Sequence, residues 1–299
     1  MDRTVLKGVL LAFLAYAVFA ISDASVKLLK GGLNAYEIIF WGALMGFTIL
    51  PLVRRPGERY RDVFSASDWR LWIMRAVAAL AGSLGSVMAF TWLPMAEAFA
   101  LLFLLPAFVT ILSVVLLKEH VGWRRWGAVA MGFIGVLVVL RPGFRELNPG
   151  HAGALMGALA SAVTIVMLRA LGAREKRVSL YGAGLVGPLL GGFIMMLPGF
   201  LWPSLEQWVF LLGYGMLAAA GNALLMLASA LAPASLVAPP QYSQMIWAIG
   251  FGHWVFHDRL DAPMILGVAI IIGAGAITFL REKKREPKGW RRTPLIHPQ

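Results

Sequence analysis

Apolar runs of about 20 residues recur from one end of this sequence to the other, and each is long enough to cross a bilayer as a helix. Only 14% of the 299 residues are charged and 59% are hydrophobic. A soluble domain carries about 25% charged residues, so rules for soluble cores do not apply. The sequence therefore predicts an all-α integral membrane protein.

The apolar runs define ten candidate transmembrane spans. Their predicted ranges are 6–29, 34–53, 70–92, 95–117, 122–140, 151–171, 178–200, 206–231, 234–257 and 262–280. Only short segments with Pro94 and Pro233 separate the third span from the fourth and the eighth from the ninth. We interpret both as tight turns, because one helix of about 45 residues is too long for a single crossing.

The distribution of positive charge predicts the topology. With these boundaries, 22 of the 27 Lys and Arg residues lie on the side of the two termini. The positive-inside rule then predicts that both termini lie in the cytoplasm. We expect the protein to be located in the cell (inner) membrane. We interpret the basic tail as a contact with anionic lipid rather than with nucleic acid.

The two halves of the chain resemble each other at an offset of 139 residues. The corresponding pairs are Gly82 and Gly221, Ser83 and Asn222, Pro94 and Pro233, and Glu119 and Asp258. Five spans in each half force the second half to lie inverted relative to the first, as in many secondary transporters. The predicted division is a first repeat at 1–145, an inverted repeat at 146–281 and a tail at 282–299.

Three segments carry a family resemblance. They read "SDASVKLL" followed by "YEIIFW", then "PAFVTILSVVLLKEHVGWRRWGAVAMGFIGVLVVL", and then "LAPASLVAPPQYSQMIWAIGFGHWVFHDRLDAPMILGVAIIIGAGAITFL". The chain resembles EamA-type members of the drug/metabolite transporter superfamily. The resemblance implies ten helices in two inverted repeats, a central cavity, alternating access and, in several relatives, export of amino acids or other small metabolites. Where the family usually has an arginine in span two, this chain has Gly42.

The ninth span contains helix-breaking and polar residues in an apolar run. Pro239 and Pro240 would free backbone carbonyls, which are tolerated at membrane depth only against protein or a wet cavity. We predict that these prolines act as a hinge and that the residues after them bind substrate: Gln241, Tyr242, Gln244 and Trp247. Carbonyl, amide and indole groups suit a small zwitterion. The alternative is a kinked helix whose amides bond to neighbouring helices.

Other candidates lie in spans one, three, four and eight. Pro106 is a predicted hinge in span four, and Phe99 and Phe103 lie on its face; an ordinary kink with lipid-facing rings is the alternative. The symmetry-related Ser83 and Asn222 would flank one central site, unless they only join helices. Tyr16 and Ser22 are weaker candidates in span one.

The charges within the spans suggest a neutral centre. No carboxylate, lysine or arginine is predicted at mid-membrane, which disfavours proton-coupled cation export and phosphate-bearing substrates. Asp23 and Lys27 are one helical turn apart, and we expect them to form a structural ion pair.

Two rival classes fit the sequence poorly. The "GYG" at 213–215 lies in a continuous apolar span, unlike a channel filter. His253 and His257 have a metal-compatible spacing but lack the glutamate that a zinc protease needs after the first histidine. We therefore expect no enzyme, metal or cofactor. The predicted function is secondary export of small neutral or zwitterionic metabolites, with amino acids favoured. The alternative is export of other metabolites or drugs, and the sequence leaves open a monomer or a homodimer.

Overall fold

The structure is a computed structural model that describes residues 3–30, 32–54, 57–118, 122–141, 146–171, 175–232, 234–237 and 239–283. All regular secondary structure in these ranges is helical. The predicted all-α membrane fold class is therefore confirmed. Glu119 and Pro233, which supported the repeat, lie outside the described residues.

Thirteen α-helices follow one another along the described chain. They are α1 (Arg3–Leu28), α2 (Ala35–Gly46), α3 (Leu50–Val53), α4 (Trp69–Trp92), α5 (Met95–Leu102), α6 (Leu105–Leu117), α7 (Trp123–Leu140), α8 (Pro149–Leu171), α9 (Arg177–Met196), α10 (Leu205–Leu231), α11 (Ala234–Val237), α12 (Ser243–Trp254) and α13 (Ala262–Lys283). Short 3₁₀ segments occupy Phe47–Ile49, Tyr60–Phe64, Leu197–Gly199 and Pro239–Tyr242.

Seven helical stretches among the described residues are long and apolar enough to cross a membrane. Shorter apolar helices lie at Trp126–Leu140 and Ala262–Gly275, within α7 and α13. The remaining predicted span, 234–257, is divided between α11, a 3₁₀ segment and α12. The protein is thus a multi-pass membrane protein, and the count of ten crossings stays a prediction.

Two predicted spans are broken where proline enters them. Span four divides into α5 and α6 at Phe103 and Leu104, with Pro106 in the first turn of α6. Span nine passes through the 3₁₀ segment Pro239–Tyr242 before α12 begins. Both breaks lie at prolines that the sequence singled out, because proline cannot donate the backbone hydrogen bond that a continuous helix uses. Their role as hinges stays a prediction.

The helix packing has the pairwise pattern expected of two equivalent halves. α1 packs along α10, and α4 packs in the same way along α8. α2 contacts α9, and α7 contacts α13. Exchanging the first half with the second turns the α1–α10 pair into the α8–α4 pair. The packing therefore supports the inverted repeat, whose boundaries remain a prediction.

The α4–α8 contact depends on glycine. A Cβ atom at Gly85 would collide with the backbone of Gly153 and Gly157. The absence of side chains at these positions lets the two backbones approach closely, as small residues do in membrane proteins. This contact holds α4 against α8, and both helices line the cavity described next.

Candidate functional site

A polar cavity of about 470 Å³ lies between α1, α4, α8, α9 and α10. An adjoining cavity of about 120 Å³ lies between α2, α9 and α10. The two cavities share six lining residues: Ser83, Tyr181, Gly184, Leu185, Tyr214 and Asn222. On α4 the lining extends from Arg75 to Phe90, which is about 22 Å along the axis at 1.5 Å per residue. The cavity is therefore elongated, and it is polar over much of its wall.

Small side chains on one face of α4 create this space. After Arg75, the lining residues of α4 include Ala78, Ala79, Gly82, Ser83 and Ser86. They recur at the three- to four-residue spacing of a single helical face. This stripe of small residues is the sequence signal that could have located the cavity.

Arg75 is the functional candidate that sequence reasoning missed. It lies in the second turn of α4, is 7% exposed and lines the cavity. Its Nε donates to the carbonyl of Leu180 at 2.8 Å, and its Nη1 donates to the carbonyl of Thr164 at 3.4 Å. The sequence predicted no lysine or arginine at mid-membrane and counted Arg75 with the preceding loop, although the residue falls near the start of the predicted span 70–92. The structure places it inside α4, which starts at Trp69.

Asp23 brings a carboxylate into the same cavity. It lies on α1 and is partly buried, and no hydrogen bond or ion pair joins it to any residue that the structure describes. The expected pair with Lys27 is wrong, because Lys27 Nζ lies 2.7 Å from Asp258 Oδ2 instead. The end of α1 meets the segment after α12, which captures the lysine and leaves Asp23 facing the cavity.

The structure brings together only part of the predicted site. Ser83 and Asn222 both line the two cavities, as does Tyr214. The Asn222 side chain donates one bond to the carbonyl of Ala218 at 2.8 Å. These two polar residues are placed where symmetry suggested, and their role in binding stays a prediction.

The predicted residues of spans four and nine lie outside the cavity lining. Residues Met95 to Leu101 of α5 are all buried in helix packing, which consumes the faces that were predicted to line the site. Phe99 packs on Phe90 with ring centroids 5.1 Å apart, and Phe103 stacks on Tyr242 at 5.4 Å. Span seven, as α9, supplies Tyr181 and Gly184 to the wall instead.

The other predicted contacts are also absent from the lining of the two cavities. Tyr16 is buried against Phe19, with ring centroids 6.0 Å apart. Gln241 and Gln244 are half-buried, and Trp247 is 42% exposed and stacks on Phe251 at 6.0 Å. A substrate role for these residues remains a prediction, and none of them lines the two cavities.

Several carboxylates near helix ends are fully engaged in holding the fold. Glu37 accepts from the backbone N–H groups of Asn34 at 3.0 Å and Leu201 at 2.5 Å. Glu97 Oε1 lies 3.1 Å from Nε2 of His151, and both side chains are buried. Asp258 binds Lys27 and also accepts from the backbone N–H of Met95 at 2.9 Å. These groups are structural, because their hydrogen-bonding capacity is used within the protein.

The described residues contain no group of three or more His, Cys, Asp or Glu side chains that could hold a metal ion. His253 and His257 are both exposed beyond the cavity. Outside the spans, the backbone N–H of Arg59 and the Lys176 ammonium lower the pKa of Asp62. That carboxylate joins the 3₁₀ segment Tyr60–Phe64 to the start of α9.

A helical membrane fold around a polar, elongated cavity is the architecture of a small-molecule transporter. The chain belongs to the EamA-like transporter family, whose model matches residues 6–141 and 148–280. It is 23% identical over 283 residues to the S-adenosylmethionine uptake transporter of Rickettsia prowazekii (strain Madrid E), covering 94% of this chain and 95% of that one.

Further similarities agree with the family and the fold. The chain is 25% identical over 279 residues to the pseudopaline exporter CntI of Pseudomonas aeruginosa (strain UCBPP-PA14), covering 93% and 97% of the two chains. A solved crystal structure matches with a TM-score of 0.59 and 17% identity, over 95% of this chain and 99% of the other. These relatives named by function are transporters, and that structural likeness concerns the fold alone.

Proposed function

We propose that this protein is a secondary transporter that moves small zwitterionic metabolites of the amino-acid class through its central cavity by alternating access. The observation that carries the proposal is the presence of a carboxylate, Asp23, and a guanidinium, Arg75, in one cavity wall. No ion pair joins the two, nor either of them to another described residue. The cavity therefore presents one charge of each sign to a ligand.

Charge matching favours a zwitterion over an ion of one sign. Charges inside a membrane protein are expensive and mark substrate paths when they lack partners in the fold. A ligand with one cationic and one anionic group satisfies both wall charges and leaves the occupied site neutral. Hydroxyl groups of Ser83, Ser86 and Ser161 supply further hydrogen bonds along the wall.

The relatives support this substrate class without fixing it. S-adenosylmethionine, the substrate named for the Rickettsia relative, is itself an amino acid with an additional sulfonium charge. An elongated cavity of about 470 Å³ has room for a ligand larger than a simple amino acid. One relative is named for uptake and another for export, so we retain export into the medium as a proposal about direction.

The proposed motion is a rocking of two repeats about this cavity, with both termini in the cytoplasm. The family match over two successive segments supports the repeats, as does the exchangeable packing of α1–α10 and α4–α8. The helix breaks at Pro106 and at Pro239–Pro240 would supply the bending points.

A second candidate function is export of organic cations. Asp23 shares the cavity wall with the apolar Val26, Val87 and Phe90, which together suit a hydrophobic cation. Such a substrate would leave Arg75 without a partner, so we rank this function second.

Uptake into proteoliposomes tests the two candidates. Purified protein would be assayed with labelled amino acids, S-adenosylmethionine and a quaternary ammonium dye, each with and without a proton gradient. Saturable transport of the zwitterions, faster than in protein-free vesicles, is the expected result. Transport of the dye alone would replace the proposal with the second candidate. A folded protein that carries none of the zwitterions would refute the proposed substrate class.

A further inference from the structure

The buried guanidinium of Arg75 has donors to spare. A guanidinium carries five N–H donors, and two carbonyls, those of Leu180 and Thr164, accept from Nε and Nη1. No carboxylate of the described chain lies within ion-pairing distance of it. Its Nη2 faces Gly184, where an added Cβ would stand 3.2 Å away. The missing side chain at Gly184 therefore leaves the third nitrogen accessible from the cavity.

A second unsatisfied donor lies beside it. The hydroxyl of Thr164 is buried and has no hydrogen-bond partner in the part of the chain that the structure describes. The backbone carbonyl of Thr164 accepts from Arg75 Nη1. One residue therefore both binds the guanidinium and carries the hydroxyl without a partner. Both residues line the larger cavity.

Unpaired polar groups of this kind are costly. A buried charge or hydroxyl without a partner loses its hydration and gains nothing in return. A fold that needed Arg75 only to join helices would be expected to provide a counter-charge. An anion that accepts from Nη2 of Arg75 and from the Thr164 hydroxyl removes both costs at once.

We propose that Arg75 and Thr164 form an anion subsite that binds the carboxylate of the transported substrate. This inference rests on the proposed function, because the carboxylate is the anionic half of the zwitterion. A carboxylate fits better than a phosphate dianion. Arg75 is the one cationic side chain among the described lining residues, and Asp23 already contributes a negative charge. Asp23 is left to face the cationic half.

Matched pairs of probes with and without the carboxylate test the subsite. The pairs are S-adenosylmethionine with decarboxylated S-adenosylmethionine, and L-methionine with L-methioninamide. The wild-type protein should prefer the carboxylate-bearing probe by about 10- to 100-fold in apparent affinity, the value of a charge-assisted hydrogen bond to a buried group. The preference should shrink to about twofold in Arg75→Gln and remain in part in Arg75→Lys, which keeps the charge.

Thr164→Val is the variant that separates binding from folding. Because the hydroxyl has no partner to lose, this variant should keep the wild-type thermal midpoint and reduce the preference several-fold. An unchanged preference in both Arg75→Gln and Thr164→Val would overturn the subsite. Equal wild-type affinity for both members of each pair would overturn the subsite and leave the transport function standing. Failure of the wild-type protein to carry any of the four probes would refute both proposals.

Discussion

The charged groups at the helix ends and those in the cavity differ in how they are satisfied. Lys27 and Asp258 are only 10% and 13% exposed, and they bind each other. Asp258 also accepts from Met95, while Lys27 lies over the ring of Phe256 at 4.7 Å. Asp23, one turn before Lys27 on the same helix, has no such partner among the described residues.

This difference separates charges that hold the fold from charges that are available to a ligand. Removing a satisfied charge leaves its partner uncompensated and should destabilise the protein. Removing an unsatisfied charge relieves a cost in the empty protein, so it should leave stability unchanged or slightly higher and weaken only the binding of a ligand. The contrast between Asp258 and Asp23 can therefore be tested by measuring stability and transport separately for variants of each residue.

The largest effect is expected at Asp258. Asp258→Asn would leave the Lys27 ammonium unpaired at low exposure, and breaking such a pair costs about 3 kcal/mol or more. We expect a marked fall in the thermal midpoint of the purified protein in detergent. The double variant Lys27→Met with Asp258→Asn removes the unpaired ammonium and keeps an acceptor for the Met95 N–H, so it should recover most of the stability. Equal midpoints for Asp258→Asn and the wild type would show that the pair is not structural.

Asp23 should show the opposite behaviour. Asp23→Asn should keep or slightly raise the thermal midpoint, because it removes a buried charge without a partner in the described chain. Transport of the zwitterionic probes should fall by about 10- to 100-fold in apparent affinity, since the contact to the cationic half is lost. If Asp23→Asn lowered the thermal midpoint and transported normally, Asp23 would be a structural charge like Asp258. The proposed difference between the two residues would then be wrong.

The sequence alone predicted the fold class and the broken helices well, because both depend on local chemistry. Apolar length identifies a spanning helix, and Pro106 lacks the backbone N–H that a continuous helix would use at that point. Proline does not break every helix, since Pro188 lies inside the continuous α9. The partners of charged residues depend on contacts between distant segments. Lys27 pairs with a residue 231 positions away, which the spacing to Asp23 could not reveal.

The cavity was predicted less well for a related reason. Ser83 and Asn222 were found through the repeat, which carries three-dimensional information in a single chain. Arg75 was missed because it lies close to the start of the predicted span 70–92 and was therefore counted with the arginines of the preceding loop. Only the packing of distant segments shows that α8 and α9 cover the guanidinium.

Gly85 tests how much close helix packing, rather than charge, contributes to the stability of the protein. Gly85→Val would place a branched side chain against the backbone of Gly153 and Gly157, and overpacking of this kind costs about 1–3 kcal/mol. The matched control is Gly132→Val on α7, since nothing in the described structure lies within 4 Å of a Cβ there. We expect a lower thermal midpoint for the first variant only. A similar loss in both would indicate that glycine content, rather than the α4–α8 contact, matters.

The smallest effect is expected at Asp62, where a satisfied charge lies outside the membrane. Its carboxylate accepts from the backbone N–H of Arg59 at 2.8 Å and lies 3.0 Å from Lys176 Nζ, and these contacts lower its pKa below the ordinary 3.8.

The lowered pKa of Asp62 stabilises the fold above the pH at which the unfolded carboxyl titrates, and the contribution is lost as the pH falls below about 4. Wild type should therefore exceed Asp62→Asn slightly in thermal midpoint at pH 6, and the difference should shrink as the pH falls from about 4 toward 3. Lys176→Gln should reduce the same difference, because it removes one of the groups that favour the charged carboxylate. A gap that persists unchanged at pH 3 would show that Asp62 acts through packing rather than through its charge, and that satisfied charges at this surface contribute nothing that titrates.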